Sequence, residues 1–386
     1  MSLDVKTILQ ASPALPRGLP HEDPAGRLYV APAGTLSGGA GAAAVISQQG
    51  WCLAGGPLSF SLCSVLLRQD GRVHEAVATF SDLLDWSAGE GEAVARHVGL
   101  LLKRLGARRP AFAGLAMDRP QIMGIVNVTP DSFSDGGRFF DHQTAIDHGI
   151  ALLVAGADIL DIGGESTRPG APPVGPDEEC RRVLPVVRAL AERGAVVSID
   201  TRHAPVMGAA VAAGAAIIND ISALEGDPDS LAVAAKSGAA VILMHMQGDP
   251  QSMQQDPRYD YAPLDVFDYL AARLAACEAA GIPRDKLSID PGVGFGKSVE
   301  HNLQVMARLP LYHALGVPLL LGVSRKSFIG KLSRGEPAPQ RVPGSLAAAL
   351  AGMDAGVQMI RVHDVAETVQ AAAVWRAMRG GLTAGA

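Results

Sequence analysis

From Gln121 onward, short apolar runs alternate along the chain with longer segments of helical periodicity. The first run, QIMGIVNVTPDSFSDGG over 121–137, is apolar up to Asn127 and then becomes polar and turn-forming. A run that is apolar at successive positions is typical of a parallel strand buried on both faces. In barrels of alternating strands and helices, the functional groups lie where the strands end. This segment therefore predicts both an architecture and the position of a site.

Eight strand-like runs repeat this pattern, and a helical segment follows each one. The runs lie at 122–128, 158–162, 196–199, 216–219, 240–244, 287–289, 318–322 and 358–362, and the helical segments at 143–155, 177–193, 204–213, 229–237, 264–280, 299–308, 342–355 and 365–378. Eight units over about 266 residues predict an α/β fold, a TIM (β/α)8 barrel. A doubly wound open sheet is the alternative, but the spacing is even and no G-x-G-x-x-G motif follows the first strand.

Residues 1–118 follow another pattern, and we predict that they form a small N-terminal α/β extension or domain of unknown role. Strand-like segments lie at 28–31, 58–68 and 73–80, and helical segments at 39–47 and 92–105. The stretch ARRPAFAGLAMDRP, at 107–120, is interpreted as a linker. The barrel is then expected to occupy residues 119–386.

Composition restricts the classes of function. Of the 386 residues, 48% are hydrophobic and 19% are charged, which is ordinary for a globular core. The net charge of −6, with no visible basic stripe, argues against nucleic acid as a partner. No apolar run approaches the roughly 20 residues of a membrane span. The four cysteines are scattered and no signal-peptide pattern opens the chain, so we expect reduced thiols in a cytoplasmic protein.

Polar residues stand at the end of every predicted strand, and a structural role does not easily explain all eight. Asp200, Asn219 and Asp290 supply acceptors that suit a flat heterocycle with N–H groups, and Lys326 is a donor for a ring carbonyl or nitrogen. A second set carries donors and metal-compatible groups that suit an anion: Asn127, Thr167, Arg168, Arg361 and His363. Because Arg361 and His363 alternate along one strand, both side chains should face the barrel axis.

The seventh predicted strand leads into Ser324-Arg325-Lys326-Ser327. Ser327 is predicted to lie at a helix N-terminus, where free N–H groups attract a carboxylate or phosphate. The alternative is that Ser324 or Ser327 is only a helix N-cap. No cysteine–histidine cluster suggests zinc, and the single oxygen ligand Asn127 fits Mg²⁺ held mainly by substrate phosphates. The sequence contains neither a Walker phosphate-binding loop nor an evident Ser–His–Asp triad.

Taken in order, these segments resemble the dihydropteroate synthase family. The motifs are IVNVTPDSFSDGG, DIGGESTRPG, SIDT, INDIS, MHMQG, IDPGVGFGK, GVSRKSFIG, GSLAAA and RVHDV, and the resemblance covers residues 121 to about 378. It implies a barrel that joins 6-hydroxymethyl-7,8-dihydropterin diphosphate to p-aminobenzoate, with release of pyrophosphate and 7,8-dihydropteroate. It also implies Mg²⁺, a homodimer, and sulfonamide drugs as competitors of p-aminobenzoate.

The resemblance assigns roles to the residues that match the family's motifs. Asp200, Asn219, Asp290 and Lys326 match the pterin-recognising set, and Asn127 matches the Mg²⁺ ligand. The diphosphate contacts are matched by Thr167, Arg168, Arg361 and His363, and the p-aminobenzoate site by Phe133, Asp135, Arg168, Pro169, Phe295 and Ser327. The implied catalytic residues are Arg361, His363, Arg168 and Lys326. Arg361, His363 and Arg168 would stabilise the departing diphosphate before the aromatic amine attacks the pterin methylene.

Two other interpretations remain at this stage. A methyltetrahydrofolate–corrinoid methyltransferase also binds a pterin through Asp and Asn at strand ends, but it needs no diphosphate site, so the Arg and His residues of the anion set argue against it. A non-catalytic pterin-binding scaffold is the other alternative. A scaffold that had lost its activity should lack some of the anion-binding residues, and this chain has all of them.

Overall fold

The computed structural model of the protein describes residues 9–19, 24–128, 142–165, 173–249 and 252–380. The first part of the chain forms a mixed sheet with helices beside it. Its strands are β1 (Leu9–Ala11), β2 (Leu28–Leu36), β3 (Trp51–Cys52), β4 (Ser59–Gln69) and β5 (Arg72–Thr79), and its helices are α1 (Gly38–Ile46), α2 (Phe80–Gly89) and α3 (Glu92–Gly106). The strand order is β1-β5-β4-β2, with β1 parallel to β5, the other pairs antiparallel, and β3 paired to the first two residues of β4.

Local sequence explains two features of this part. Asp70 and Gly71 join β4 to β5 with φ angles of 50° and 71°, as in a two-residue type I′ hairpin turn. Helix α3 buries Val94, Val98 and Leu101 on one side, which is the side that the apolar periodicity predicts. The elements predicted in this part of the chain are therefore confirmed.

Three elements of the N-terminal part were not predicted. Strands β1 and β3 have three and two residues, too few for an alternating pattern to be detected. Helix α2 fully buries only Leu83 and Ser87, with Phe80 and Trp86 partly buried against the core. The helix begins at a local signal, the capping residue Thr79, whose side chain accepts the N–H of Asp82, whereas the two short strands offer none.

Within the described ranges, eight parallel strands form a barrel with helices outside it. The strands are β6 (Gln121–Asn127), β7 (Ile159–Gly163), β8 (Val197–Asp200), β9 (Ile217–Asp220), β10 (Ala240–Met244), β11 (Leu287–Asp290), β12 (Leu320–Gly322) and β13 (Met359–Val362). The helices are α4 (His142–Val154), α5 (Pro176–Ala191), α6 (Ala204–Ala212), α7 (Ser230–Ser237), α8 (Ala262–Ala279), α9 (Val299–Ala307), α10 (Ser327–Leu332), α11 (Val342–Asp354) and α12 (Val365–Gly380). The order β11-β10-β9-β8-β7-β6-β13-β12 is closed by a bridge between Ile289 and Leu319. The predicted TIM barrel is confirmed.

Residues 107–120, interpreted above as a linker, also close the amino-terminal end of the barrel. Phe112 and Leu115 form a short antiparallel bridge, and Phe112 and Met117 are 0% and 4% exposed. Both pack in one cluster with inward-facing residues near the starts of the strands, which are Met123, Ile159, Ile217, Ala240, Ile242, Leu320 and Met359. The linker interpretation was therefore incomplete, because the segment fills part of the barrel core.

Truncation of a core side chain in residues 107–120 should destabilise the protein. Phe112→Ala is expected to lower the free energy of unfolding by about 3–5 kcal/mol, because it leaves a cavity among strand residues that cannot collapse around it. Urea unfolding followed by circular dichroism measures the change. Leu100→Ala is the control, since Leu100 lies on α3 and is 43% exposed. Equal loss in the two variants would contradict a core role for Phe112.

The N-terminal part is tied to the outside of the barrel by ion pairs as well as by apolar packing. Arg68 of β4 donates to Asp265 and Asp268 of α8 at 2.6 and 2.8 Å. Arg308, which follows α9, forms a fork with Glu75 of β5, with N–O distances of 2.6 and 2.5 Å. Buried side chains of both parts belong to one apolar cluster. The two parts thus share a core, and a domain boundary near residue 118 stays a prediction.

None of the helices in the described ranges combines the length and the apolarity needed to pass through a lipid bilayer. The described N-terminal residues contact the barrel at α8, at residues 308–315, which follow α9, and at its amino-terminal end. The opposite rim, where the strands end, carries the polar residues predicted to form a site.

Candidate active site

The inward-facing positions of the barrel strands change from apolar to polar towards the strand ends. On β7 they run from Ile159 through Asp161 to Gly163, and on β13 from Met359 to Arg361. Because parallel strands all end at one rim, their terminal side chains converge there. The polar side chains that the structure places at this rim include Asp161, Asp200, Asn219, Asp290, Lys326 and Arg361.

Arg361 is the centre of the charge network at the rim. Its Nε donates to Asp161 Oδ2 at 2.6 Å, and a terminal nitrogen donates to Asp200 Oδ2 at 2.7 Å. Burial would lower the pKa of Arg361, but the carboxylates of Asp161 and Asp200 outweigh it and raise this pKa above its ordinary value. Arg361 is therefore a permanent cation. Asp200 was predicted to bind a flat heterocycle and Arg361 to bind an anion. The two predicted sets of residues are therefore in contact through this pair.

Asp161 was not among the site residues predicted from the sequence. This residue is 0% exposed, and its Oδ2 accepts hydrogen bonds from both Arg361 and Asn219, the latter at 3.2 Å. Its Oδ1 is buried and has no hydrogen-bond partner among the described residues. A lone carboxylate inside the apolar strand ILDIG was the available signal, since a buried charge needs a partner. Asp161 fixes both the guanidinium of Arg361 and the amide of Asn219.

Asp290 and Lys326 form a second group on neighbouring strand ends. Asp290 ends β11, and its Oδ1 accepts the N–H of Gly292 at 2.7 Å. Lys326 follows β12, and its Nζ lies 3.9 Å from the centre of the Phe295 ring. Phe295, which matches the p-aminobenzoate site, is therefore in contact with Lys326, which matches the pterin site.

Burial moves the pKa values of these groups towards neutrality. Burial raises the pKa of Asp290 to about 6, although the Gly292 N–H and the lysine ammonium of Lys326 oppose the shift. Burial also raises the pKa of Asp200, against the attraction of Arg361. Burial, reinforced by Arg361, lowers the pKa of Lys326 to about 8. Groups with such values near pH 7 are common at functional sites.

The turn after β12 sends neighbouring side chains in different directions. Arg325 has a left-handed φ of 59°, and its Nε donates to Asp364 Oδ2 at 3.0 Å. Lys326 is thereby left to face the Phe295 ring and the rim. Ser327 begins α10, as predicted, but the cap position is Lys326, and no side chain within the described ranges caps this helix. The alternative that a serine of this turn serves as the N-cap was therefore wrong.

Ser324 instead holds His363. Its Oγ accepts the backbone N–H of His363 at 3.1 Å and lies within hydrogen-bonding distance of His363 Nδ1, at 3.0 Å. Burial, with the positive charge of Arg361, lowers the pKa of His363 to about 3. The imidazole is therefore neutral, and we assign its proton to Nε2, with the Ser324 hydroxyl as the donor to Nδ1. His363 offers one hydrogen-bond donor to a ligand and carries no charge.

Asn127 ends β6 and pairs with Gly163 of β7, which pairs in turn with Asp200 of β8. It therefore lies on the same rim as Arg361. In the part of the chain that the structure describes, no group of three or more His, Cys, Asp or Glu residues is arranged to hold a metal ion. Five predicted site residues lie outside the described residues: Phe133, Asp135, Thr167, Arg168 and Pro169.

Comparison with known proteins identifies the family. A family model for pterin binding enzymes matches residues 123–363. Dihydropteroate synthase of Escherichia coli (strain K12) is 49% identical over 258 residues, which are 67% of this chain and 91% of the relative. The chain belongs to the dihydropteroate synthase family. Two solved structures of family members match it with a TM-score of 0.66: the enzyme of Yersinia pestis with a sulfonamide drug (49% identity, 69% of this chain, 97% of that chain) and that of Xanthomonas albilineans with 4-aminobenzoic acid (50%, 70% and 97%).

Family membership confirms the resemblance seen in the motifs and the expectation of a transferase. It also decides between the interpretations left open by the sequence, in favour of dihydropteroate synthase and against the methyltransferase. The family model begins at residue 123, so the N-terminal sheet and helices lie outside it. The roles of the individual site residues stay predictions.

Proposed function

We propose that the rim of this barrel condenses 6-hydroxymethyl-7,8-dihydropterin diphosphate with p-aminobenzoate to give 7,8-dihydropteroate and pyrophosphate. The observation that carries the proposal is the buried network of Arg361, Asp161 and Asp200, with Asp290 and Lys326 on neighbouring strand ends. In this reaction the methylene C–O bond breaks and its electron pair leaves with the diphosphate. The amine nitrogen then forms the C–N bond and releases one proton.

The buried acceptors suit the pterin ring. Carboxylates of Asp200 and Asp290 accept N–H groups of an amino-pyrimidine edge, and Asn219 supplies both an acceptor and a donor. Lys326 donates to a ring carbonyl or nitrogen. Asn219 and Asp290 are each 6% exposed, so a bound ring is shielded from water, which strengthens each of these hydrogen bonds. Selectivity for a pterin follows, because a ring without these N–H groups leaves buried acceptors unpaired.

The diphosphate needs more positive charge than the described rim supplies. Among the described residues of this network, the cations Arg361 and Lys326 face the carboxylates of Asp161, Asp200 and Asp290. Arg361 stabilises the charge that develops on the leaving oxygen, and neutral His363 donates one hydrogen bond from Nε2. Further cations are therefore required, and Arg168 together with a metal ion fits that need, with Thr167 as an additional donor.

Mg²⁺ fits this site as an ion held chiefly by the substrate. Asn127 offers a single amide oxygen at the rim, and Mg²⁺ in phosphate sites takes one or two protein ligands and fills its other positions with phosphate oxygens and water. When bound, the ion supplies positive charge to the phosphate oxygens. Asn127 would hold the ion beside the diphosphate, while Arg361 stays with its own carboxylates.

The second substrate is proposed to bind beside Phe295 and Ser327. Phe295 offers a ring face next to Lys326, and Ser327 at the start of α10 offers a hydroxyl and a backbone N–H to a carboxylate. Phe133, Asp135, Arg168 and Pro169 complete the proposed site by their match to the family. Sulfonamides are then expected to compete with p-aminobenzoate. A homodimer and a cytoplasmic location are proposed on the family resemblance alone.

Pyrophosphate release tests the function directly. The purified chain is mixed with pterin diphosphate, p-aminobenzoate and Mg²⁺, pyrophosphate is measured by a coupled assay, and the product is weighed by mass spectrometry. We expect release and 7,8-dihydropteroate only when both organic substrates are present. Arg376→Leu, an exposed change on α12, should leave the rate unchanged. Absence of pyrophosphate and product with both substrates present would refute the proposed function.

A further inference from the structure

Lys297 is buried at the rim, and the mechanism above gives it no role. It is 2% exposed and lies in the loop between β11 and α9. Its Nζ lies 2.8 Å from His245 Nδ1, 2.9 Å from the Gly292 carbonyl oxygen and 3.1 Å from the Phe295 carbonyl oxygen. An ammonium has three protons, so each can be donated to one of these acceptors. Lys297 thus ties the end of β10 to the loop that carries Phe295.

The loop around Lys297 is pressed against the neighbouring strand end. Gly292, Gly294 and Gly296 have φ angles of 66°, 85° and 56°, which favour glycine. A Cβ atom on Gly292 would lie 1.9 Å from the His245 carbonyl oxygen. The Tyr259 hydroxyl donates to the Gly296 carbonyl at 2.7 Å on the outer side. The backbone therefore encircles the ammonium and has little room to move while that group is present.

This loop is in direct contact with the proposed substrate sites. The Phe295 ring lies under Lys326 Nζ at 3.9 Å. A Cβ on Gly294 would lie 3.0 Å from Lys326 Cδ, so the loop backbone also borders the stem of that lysine. A shift of the loop therefore moves the Phe295 ring relative to the Lys326 ammonium.

Packing alone does not account for a lysine at this position. Burial lowers the pKa of Lys297 to about 7, although the carboxylate of Asp290 opposes the shift, so this position disfavours the charged form of a lysine. A methionine would fill nearly the same volume without burying a charge. What methionine lacks is the set of donors that fixes three acceptors on two loops.

We propose that Lys297 is a positioning residue for p-aminobenzoate, which sets the Phe295 ring against Lys326 by holding the carbonyls of Gly292 and Phe295. The inference rests on the proposed function, because it assigns Phe295 to the p-aminobenzoate site. Asp290 ends β11 and is paired with Met244 of β10, so the strand ladder fixes its backbone, and its one bond to the loop comes from the N–H of Gly292, not from Lys297. Loss of Lys297 should therefore affect the second substrate more than the pterin.

The test compares Lys297→Met with Lys297→Arg and with the control Lys103→Met, an exposed lysine of α3. In Lys297→Met we expect the KM for p-aminobenzoate to rise by about tenfold, as for a misplaced binding group. The KM for pterin diphosphate should change less than about threefold, because Asp290 and Asn219 keep their places. Lys297→Arg should show a smaller split in the same direction, and it decides the matter if Lys297→Met does not fold.

A merely structural role predicts another result. Loss of stability alone would reduce the fraction of folded, active enzyme and therefore the apparent kcat. Both KM values would stay equal to those of the unmutated protein. Unchanged KM values, or an equal rise of both, would overturn the proposal. If the unchanged chain itself releases no pyrophosphate, the proposed function fails instead, so the two failures are distinguishable.

A double-mutant cycle tests whether Lys297 acts through Phe295. Phe295→Leu alone should raise the KM for p-aminobenzoate, because the ring face is lost. If Lys297 acts by placing that ring, adding Lys297→Met to Phe295→Leu should raise this KM by less than about twofold further, a strongly non-additive result. If the KM of the double variant instead rises by the product of the two single increases, Lys297 acts by another route and the proposal is overturned.

Discussion

Replacing Arg361 with leucine is expected to lower kcat for pyrophosphate release by about 10³-fold, the loss typical of removing a group that stabilises developing charge. Asp161 and Asp200 hold the guanidinium at the rim by bonds of 2.6 and 2.7 Å, so it needs no reorganisation when the diphosphate leaves. The change also leaves buried carboxylates without their cation, which should cost about 3–5 kcal/mol of folding free energy. Steady-state kinetics and urea unfolding measure the two effects separately.

The structure supplies a control that separates charge balance from catalysis. In the double variant Asp161→Asn/Arg361→Leu, one carboxylate is neutralised together with the guanidinium, so stability should recover in part. Turnover should stay as low as in Arg361→Leu, because the cation is still missing. Recovery of kcat in the double variant, or an unchanged kcat in Arg361→Leu, would contradict the proposed catalytic role of Arg361.

The barrel was predictable because each of its strands is buried on both faces. A run such as Ile122–Val126 or Val241–Leu243 stays apolar through successive positions, and polar residues begin where the strand leaves the core. That boundary is a local property of the sequence, so it predicted both the strands and the rim. Asp200, Asn219 and Asp290 lie where the strand pattern predicted them.

What the sequence left open depends on contacts between distant segments. Asp161 lies inside a strand, and only the closure of the barrel brings it to Arg361, 200 residues away. Phe112 belongs to a segment with linker composition, and its core role follows from the end of the barrel that it fills. Arg325 and Lys326 are adjacent in the chain, yet a left-handed backbone at Arg325 directs them to different partners.

Replacing Asp290 with asparagine is expected to weaken pterin binding by about 10²–10³-fold. The asparagine side chain has an amide N–H where the carboxylate has its second oxygen, so one N–H of the ring loses its buried acceptor. The same change should stabilise the protein. Burial raises the pKa of Asp290 to about 6, so the folded state holds an unfavourable charge at pH 8, and its removal should add about 1–3 kcal/mol. Calorimetric titration with the pterin and urea unfolding measure the opposite changes.

The pH dependence of this gain identifies its cause. Below pH of about 4, near the unfolded-state pKa, the carboxyl is protonated in both states and Asp290→Asn should be neutral. Between that pH and about 6 the unfolded chain ionises first, so the original protein loses stability relative to the variant, and above the folded-state pKa the difference stays constant. Asp285→Asn, an exposed change before β11, is the matched control for the substitution itself. A gain in the free energy of unfolding that is equal at pH 4 and pH 8 would exclude charge burial at Asp290 as its cause. The expected pH dependence would instead show that the rim keeps an ionised carboxylate for ligand recognition at the expense of stability.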